Sequence, residues 1–558
     1  ALAAIAAVVA CAGGARPRAQ AAPERSGDCS REVATIRLSF SAAGSPPAVE
    51  VEVCVASGER AGLLLPSRWA RHDNLARRFE DIAAERLDGH AAAPVTFASE
   101  GYVMAAAGPP GRVRFRYQVV ADRVEHATTL RYAAVISPTF FVGAGSTFLA
   151  KPITVAADGT VTAPAVDLEI GAPPGWTSAR TNGHSGAVPF GVAADAGYLA
   201  GAADYGAARS GDARAEAWVV GDVAVGADDV ARIAAAVALA QASLLPQDSI
   251  ASTRVFVVPS GGAARGVAGA GRAGGYVLEV GRAVRSGDAT LLLTAAHESL
   301  NRLVGHGVRF APEDAAATDW FKEGVTDYVA ARNAAAAGLV ASTAFFARLG
   351  GAVESVELNG RRGESAYGVG TLAGVVMDLR LRAEGRSLEW LLVELHRRLG
   401  GAPVTATTLD ETLRALAPEA AGLVLDALAV GALPPYRQAL RDAGLEVIVR
   451  VAPAPWYGFA WERALGGGWE VTHVDRPSPA AVAGLFPGLR LAGEPELDAV
   501  GRPHAPGGVA TLRVRTDRGE RRIVFEGEPG QLETVALDVR RGSGDMYLHS
   551  FGLPSHGE

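Results

Sequence analysis

His297-Glu298-Ser299-Leu300-Asn301 gathers an imidazole, a carboxylate and an amide within little more than one helical turn. In the pattern H-E-x-x-H, two histidines four apart share a helix face and bind Zn²⁺, and the glutamate is the general base for the bound water. His297 and Glu298 stand at the first ligand and general-base positions, and Asn301 stands at the second ligand position. An amide oxygen is a much poorer zinc ligand than an imidazole. The spacing therefore predicts a degenerate zinc site, in which Asn301 ligates weakly or a water takes its place. His306, nine positions after His297, falls about 180° around an ideal helix and is expected to face away.

A second group follows in Trp320-Phe321-Lys322-Glu323-Gly324-Val325-Thr326-Asp327-Tyr328, where Glu323 and Asp327 are one turn apart. A downstream glutamate can complete a His/His/Glu zinc set. A carboxylate one turn on can accept a hydrogen bond from a ligand histidine and orient it, so Asp327 is paired with His297.

These groups need helices to hold them. Helical periodicity predicts helices over Thr290–Val304, Trp320–Ala337, Tyr367–Arg382, Leu388–Leu399 (with Ser387 as its N-cap) and Leu409–Ala417. Ala227–Ser243 also reads as helical, and Thr253 to Val258 as a strand. Residues 27–165 carry period-two runs such as Ala34 to Phe40 and Arg112 to Val120, as an N-terminal β-sandwich would. From 446 to 530 the pattern returns to β, with Thr511 to Arg515 facing Arg522 to Phe525 across a hairpin turn at Asp517-Arg518-Gly519. The expected class is multidomain α+β, with a mainly helical domain over 166–445 between the two β domains and a tail over 531–558.

His297-Glu298 followed by Trp320-Phe321-x-Glu323-Gly324-x-Thr326-Asp327-Tyr328 resembles the glycyl aminopeptidase family of gluzincin zinc metallopeptidases. That resemblance implies an N-terminal β domain, a thermolysin-like catalytic domain and a C-terminal PDZ domain, over nearly the whole chain. It places His297 and Glu323 on zinc-ligand positions, Glu298 on the general-base position, and Tyr367 of Tyr367-Gly368-Val369-Gly370 on that of an oxyanion donor. Three departures accompany it. Asn301 replaces a histidine, Val369 replaces a lysine, and the family's G-G-x-E-H edge-strand segment has no clear counterpart within Gly266 to Val280, so aminopeptidase specificity transfers least.

Trp456-Tyr457-Gly458-Phe459-Ala460 resembles the carboxylate-binding loop of PDZ domains, and Ser478-Pro479-Ala480 to Gly488 resembles a bacterial PDZ segment. By that likeness Tyr457, Gly458 and Phe459 bind peptides or protein C-termini, or the module is purely structural.

Residues 1–22 read as a signal peptide, or as a lipoprotein signal with Cys11 as the lipidated residue, so the chain is expected in the bacterial envelope, periplasmic or lipid-anchored. In that oxidising compartment Cys29 and Cys54 could join as a disulfide. The net charge of −7 with no basic block argues against a nucleic-acid surface. No internal apolar run reaches the roughly 18–20 residues of a spanning helix.

Two functional readings follow. One is a weakly active or inactive pseudopeptidase that binds peptides or proteins; the other is a working zinc aminopeptidase with unusual ligation, in which Glu298 moves the water's proton and Tyr367 steadies the oxyanion.

Overall fold

The computed structural model describes residues 32–554, leaving out 121–133, 245–251, 261–265, 360–365, 464–468, 498–507 and several shorter stretches. The segment read as a signal, Cys11 and Cys29 lie outside the described residues.

In the N-terminal part, strand Ala48–Val55 buries every second residue, and Gly111–Val119 does so through Val113, Phe115, Tyr117 and Val119. They lie side by side in a six-stranded sheet ordered Ala165–Gly171, Val33–Ser39, Ala48–Val55, Gly111–Val119, Phe79–Arg86, Ala91–Ala93. A five-stranded sheet containing Arg60–Leu64 and Tyr102–Ala105 joins the same core through Leu63, Val103 and Ala105. The buried Tyr117 hydroxyl donates to the Phe148 carbonyl at 3.1 Å and accepts from Ala150 N–H at 3.0 Å, so its burial leaves no polar group unpaired. Cys54 is disulfide-bonded.

The central part is a five-stranded sheet with helices packed on it. We label its strands β1 (Ala203–Ser210), β2 (Ala213–Val220), β3 (Thr253–Pro259), β4 (Val267–Arg272) and β5 (Gly275–Val280). Their spatial order is β1-β2-β3-β5-β4, so β4 is an edge strand. The pairs β2–β3 and β3–β5 are parallel, and β4 runs antiparallel to β5. Five helices matter for the site: α1 (Ala227–Ala240), α2 (Ala289–Leu300), α3 (Thr326–Ala336), α4 (Ser342–Asn359) and α5 (Ala366–Ala383). A π-helical turn, Trp320–Val325, runs directly into α3. Sheet and helices share one core that includes Val255, Leu278, Leu293, Phe321, Val329, Leu372 and Leu391.

The predicted helix Leu388–Leu399 forms over those residues, with the Ser387 hydroxyl accepting from Trp390 N–H. Helix α4 has no counterpart in the periodicity reading, because Gly350-Gly351 interrupts it and its apolar and polar residues are poorly separated. It is nonetheless continuous.

Beyond α5 and further helices, Leu445–Trp456 pairs antiparallel with Glu528–Val539 along its whole length. Residues 531–539, set apart above as tail, thus lie in a strand. This two-stranded ribbon carries a module between its ends, built on strands Phe459–Arg463, Trp469–Val474, Val509–Thr516 and Gly519–Glu526. The last two face each other as expected, with Thr516 opposite Gly519. Gly519 thus belongs to the strand rather than the turn, and Asp517 and Arg518 lie outside the described residues. The module has its own core of Tyr457, Val471, Leu485, Leu512 and neighbours. After the ribbon, Met546–Ser550 and Phe551 return to the helical core, where Phe551 meets the rings of Phe345, Phe346 and Tyr328. Among the described residues no helix is long and apolar enough to cross a membrane.

Candidate functional site

Helix α2 ends at the residues that matter. Leu291, Leu293, Ala295, Ala296 and Leu300 bury it, and this draws His297 and Glu298 into the interior with 4% and 2% of their surface exposed. Asn301 caps the helix, its N–H bonded to the His297 carbonyl at 3.0 Å. The chain then turns through Gly305 at φ +131°, and His306 faces Asp195 at 3.8 Å.

The two carboxylates of the next helical segment address the two nitrogens of one ring. Glu323 Oε2 lies 3.5 Å from His297 Nε2, and Asp327 Oδ1 lies 3.3 Å from His297 Nδ1. The four-residue spacing of Glu323 and Asp327 spans the π-helical turn and the start of α3, so both reach the same imidazole. Tyr367 at the start of α5 closes the group, donating its hydroxyl to Glu323 Oε2 at 2.6 Å. Lys322 Nζ lies 3.2 Å from the other oxygen, Glu323 Oε1.

Close helix contact makes this possible. A Cβ at Gly370 would sit 1.8 Å from the Trp320 carbonyl oxygen, and one at Gly324 would sit 2.4 Å from Gly370 Cα. The π-helical turn and α5 therefore touch backbone to backbone, which brings Glu323 and Tyr367 within hydrogen-bond reach. On the other side, edge strand β4 lies flat on Glu298 and Asn301. A Cβ at Gly269 would be 2.4 Å from Glu298 Cγ, and one at Gly271 would be 2.7 Å from Asn301 Cβ.

Burial disfavours charge on His297, Glu323 and Asp327, yet their mutual pairing outweighs it. The imidazole of His297 is held well above its ordinary pKa by Asp327, Glu323 and Glu298, against the opposing effect of burial. Burial would raise Glu323, but His297, Lys322 and Tyr367 draw it far below the usual carboxylate range. Asp327 is likewise lowered to about 2, against burial, by His297 and Arg348. Arg348, on α4, donates Nε to Asp327 Oδ2 at 2.9 Å and Nη2 to Oδ1 at 2.6 Å. Sequence spacing contained no sign of this partner, which comes from a helix the periodicity did not reveal.

Do these residues suit zinc? Two ligand atoms at about 2.0–2.1 Å from one tetrahedral Zn²⁺ stand about 3.3–3.4 Å apart. The 3.5 Å between His297 Nε2 and Glu323 Oε2 matches that edge. The third position does not match. Asn301 turns its amide N–H to Glu298 Oε2 at 3.1 Å, leaving its buried Oδ1 without a hydrogen-bond partner among the described residues. Among the described residues no group of three His, Cys, Asp or Glu side chains could hold a metal. The donor set is one imidazole, one carboxylate and one amide oxygen.

In the C-terminal module, Gly458 adopts φ +71° and packs on Ser478, to whose Cβ an added Cβ would come within 2.1 Å. Ala480 N–H bonds the Tyr457 carbonyl and Asp475 N–H the Gly458 carbonyl. Tyr457 is buried, and Phe459 begins a strand that pairs with Trp469–Val474 at one end of the module's sheet order.

No family model and no curated protein matches the sequence. Solved structures do. An aminopeptidase N family protein from Idiomarina loihiensis superposes with a TM-score of 0.70 at 16% identity, covering 94% of this chain and 100% of that one. The two chains share one fold. The M1 zinc metallopeptidase of Deinococcus radiodurans is matched more loosely, with a TM-score of 0.47 at 14% identity over 72% of this chain and 94% of that one. At 16% identity the likeness is one of fold alone: a multidomain α+β chain folded like that aminopeptidase N family protein.

Proposed function

We propose that this protein is an exported, metallopeptidase-like pseudopeptidase that retains the cleft of a zinc peptidase but not a complete zinc site, and that binds peptides or protein C-termini. One observation carries the reading: the Asn301 amide donates to the Glu298 carboxylate. The residue at the missing-ligand position is thus engaged with the would-be general base. If zinc were bound, His297 and Glu323 would hold it, and it would make a water nucleophilic and polarise a carbonyl.

Two further observations support the wider reading. The disulfide at Cys54 fits an oxidising compartment, with Cys29 the proposed partner. The glycine-bearing loop at Tyr457-Gly458 leads into the Phe459–Arg463 strand, whose second edge suits strand addition by a peptide.

The test is zinc content of the dialysed chain beside Asn301→His. We expect none retained in the wild type and zinc in the variant; stoichiometric zinc in the wild type would overturn the reading. The His297–Glu323 spacing favours a second reading, an active zinc aminopeptidase. On that reading Glu298→Gln abolishes hydrolysis of aminoacyl substrates while leaving the metal in place. On the first, Glu298→Gln changes no hydrolysis, and a captured peptide is lost on substitution of Gly458 or Phe459.

A further inference from the structure

We infer that Arg348 is a positioning residue for the candidate site, setting the orientation of the His297 ring through Asp327. The inference is independent of whether zinc is held, and so stands or falls apart from the proposal above.

Arg348 meets Asp327 with two parallel donors, Nε to Oδ2 and Nη2 to Oδ1. Such a fork fixes the plane of a carboxylate, whereas a lysine would fix only a distance. One of the two oxygens so held, Oδ1, is the atom 3.3 Å from His297 Nδ1. The ring therefore reads its orientation from a carboxylate whose plane Arg348 sets, and this turns Nε2 towards Glu323. Asp327 has only 6% of its surface exposed with the guanidinium in place, so Arg348 is a principal polar partner of this carboxylate beside His297.

Helix α4 is itself held on two sides, which fixes the backbone that carries Arg348, while its side chain, 39% exposed, is held by the fork to Asp327. A Cβ at Gly368 of α5 would lie 3.0 Å from Val356, and one at Gly350 would lie 3.9 Å from Leu537 of the ribbon. Neither His297-Glu298 nor the Trp320–Tyr328 stretch contains this support. It enters from a helix that the site motifs do not mention.

The experiment uses the full chain, treated with chelator and labelled with ¹⁵N-histidine, read by long-range ¹H–¹⁵N correlation of the imidazoles. Loss of one signal set in His297→Gln identifies the ring. Arg348→Met should move the His297 ring nitrogens while the remaining histidine signals stay. Asp327→Asn should move them too, and Arg348→Met added to Asp327→Asn should move them no further. Arg348→Lys should produce part of the shift. Unmoved His297 signals in Arg348→Met, or a double variant whose shift is the sum of the two, would overturn the inference. Should the methionine variant not fold, Arg348→Lys decides alone: it keeps the charge but loses the fork, and an unmoved ring refutes the role.

Discussion

Gly370 and Gly269 do as much for this site as its charged residues, because each lets a backbone come where a methyl group would collide. Gly370→Ala must separate α5 from the π-helical turn, since no flexible side chain is available to yield at the Trp320 carbonyl. Overpacking of this kind typically costs about 1–3 kcal/mol. We expect a lowered melting temperature and a lost Tyr367–Glu323 hydrogen bond; an unchanged melting temperature and intact bond would show that the close approach is dispensable. Gly269→Ala acts differently, because the flexible Glu298 side chain can move aside. Its expected effect is a displaced Glu298 with a smaller loss of stability, readable in a crystal structure of the variant.

At the scale of elements, the outer face of the N-terminal sheet carries a cross-strand charge ladder. Glu52 accepts from Arg37 Nη1 at 2.9 Å and from Arg114 Nε at 2.9 Å. Arg114 stands opposite Glu52 in register, and Arg116 opposite Glu50. Partial burial would raise the Glu52 pKa, but the two arginines outweigh it and lower it from 4.5. A lowered folded-state pKa gives stability that is present above the unfolded value and lost as pH falls through the folded one. Glu52→Gln should therefore melt below the wild type near neutral pH, with the gap closing as pH drops below about 4. Thermal melts across that range check it, and a gap that stays constant would show that the ladder contributes no pH dependence. The C-terminal helix offers a second case. Phe551 is fully buried among aromatic rings, and truncation of such a residue costs about 3–5 kcal/mol. Phe551→Ala should destabilise the central helical part, seen as a lower denaturant midpoint.

For the whole molecule, the module between Trp456 and Glu528 has a core of its own and is joined to the rest by the paired ribbon strands. Among the described residues its core is separate from that of the helical part, so calorimetry should show a separate transition for it. Leu512→Ala, at a buried module position, should lower that transition and leave the main one in place. A single transition that shifts as a whole would mean that the ribbon couples the two completely.

Much of this architecture was legible from local pattern. Alternation over Ala34 to Phe40 and Arg112 to Val120 answers to strands with one buried face, because one side of a pleat meets the core. The helix over Leu388–Leu399 is legible for the matching reason, an apolar stripe and a hydroxyl cap. Glu323 and Asp327 were foreseeable as neighbours because a four-residue spacing puts them on one helix face. His297 lies on a separate helix and was joined to them by zinc-site chemistry and the family resemblance. Three things were decided only by tertiary packing. The turn at Trp320–Val325 is π-helical where periodicity implied a plain helix, since it must press its backbone onto α5 at Gly370. Asn301 gives its N–H to Glu298, a choice set by strand β4 lying over both side chains. Arg348 reaches Asp327 from a separate helix, and no spacing along one chain segment encodes which guanidinium a distant fold will bring to a buried carboxylate.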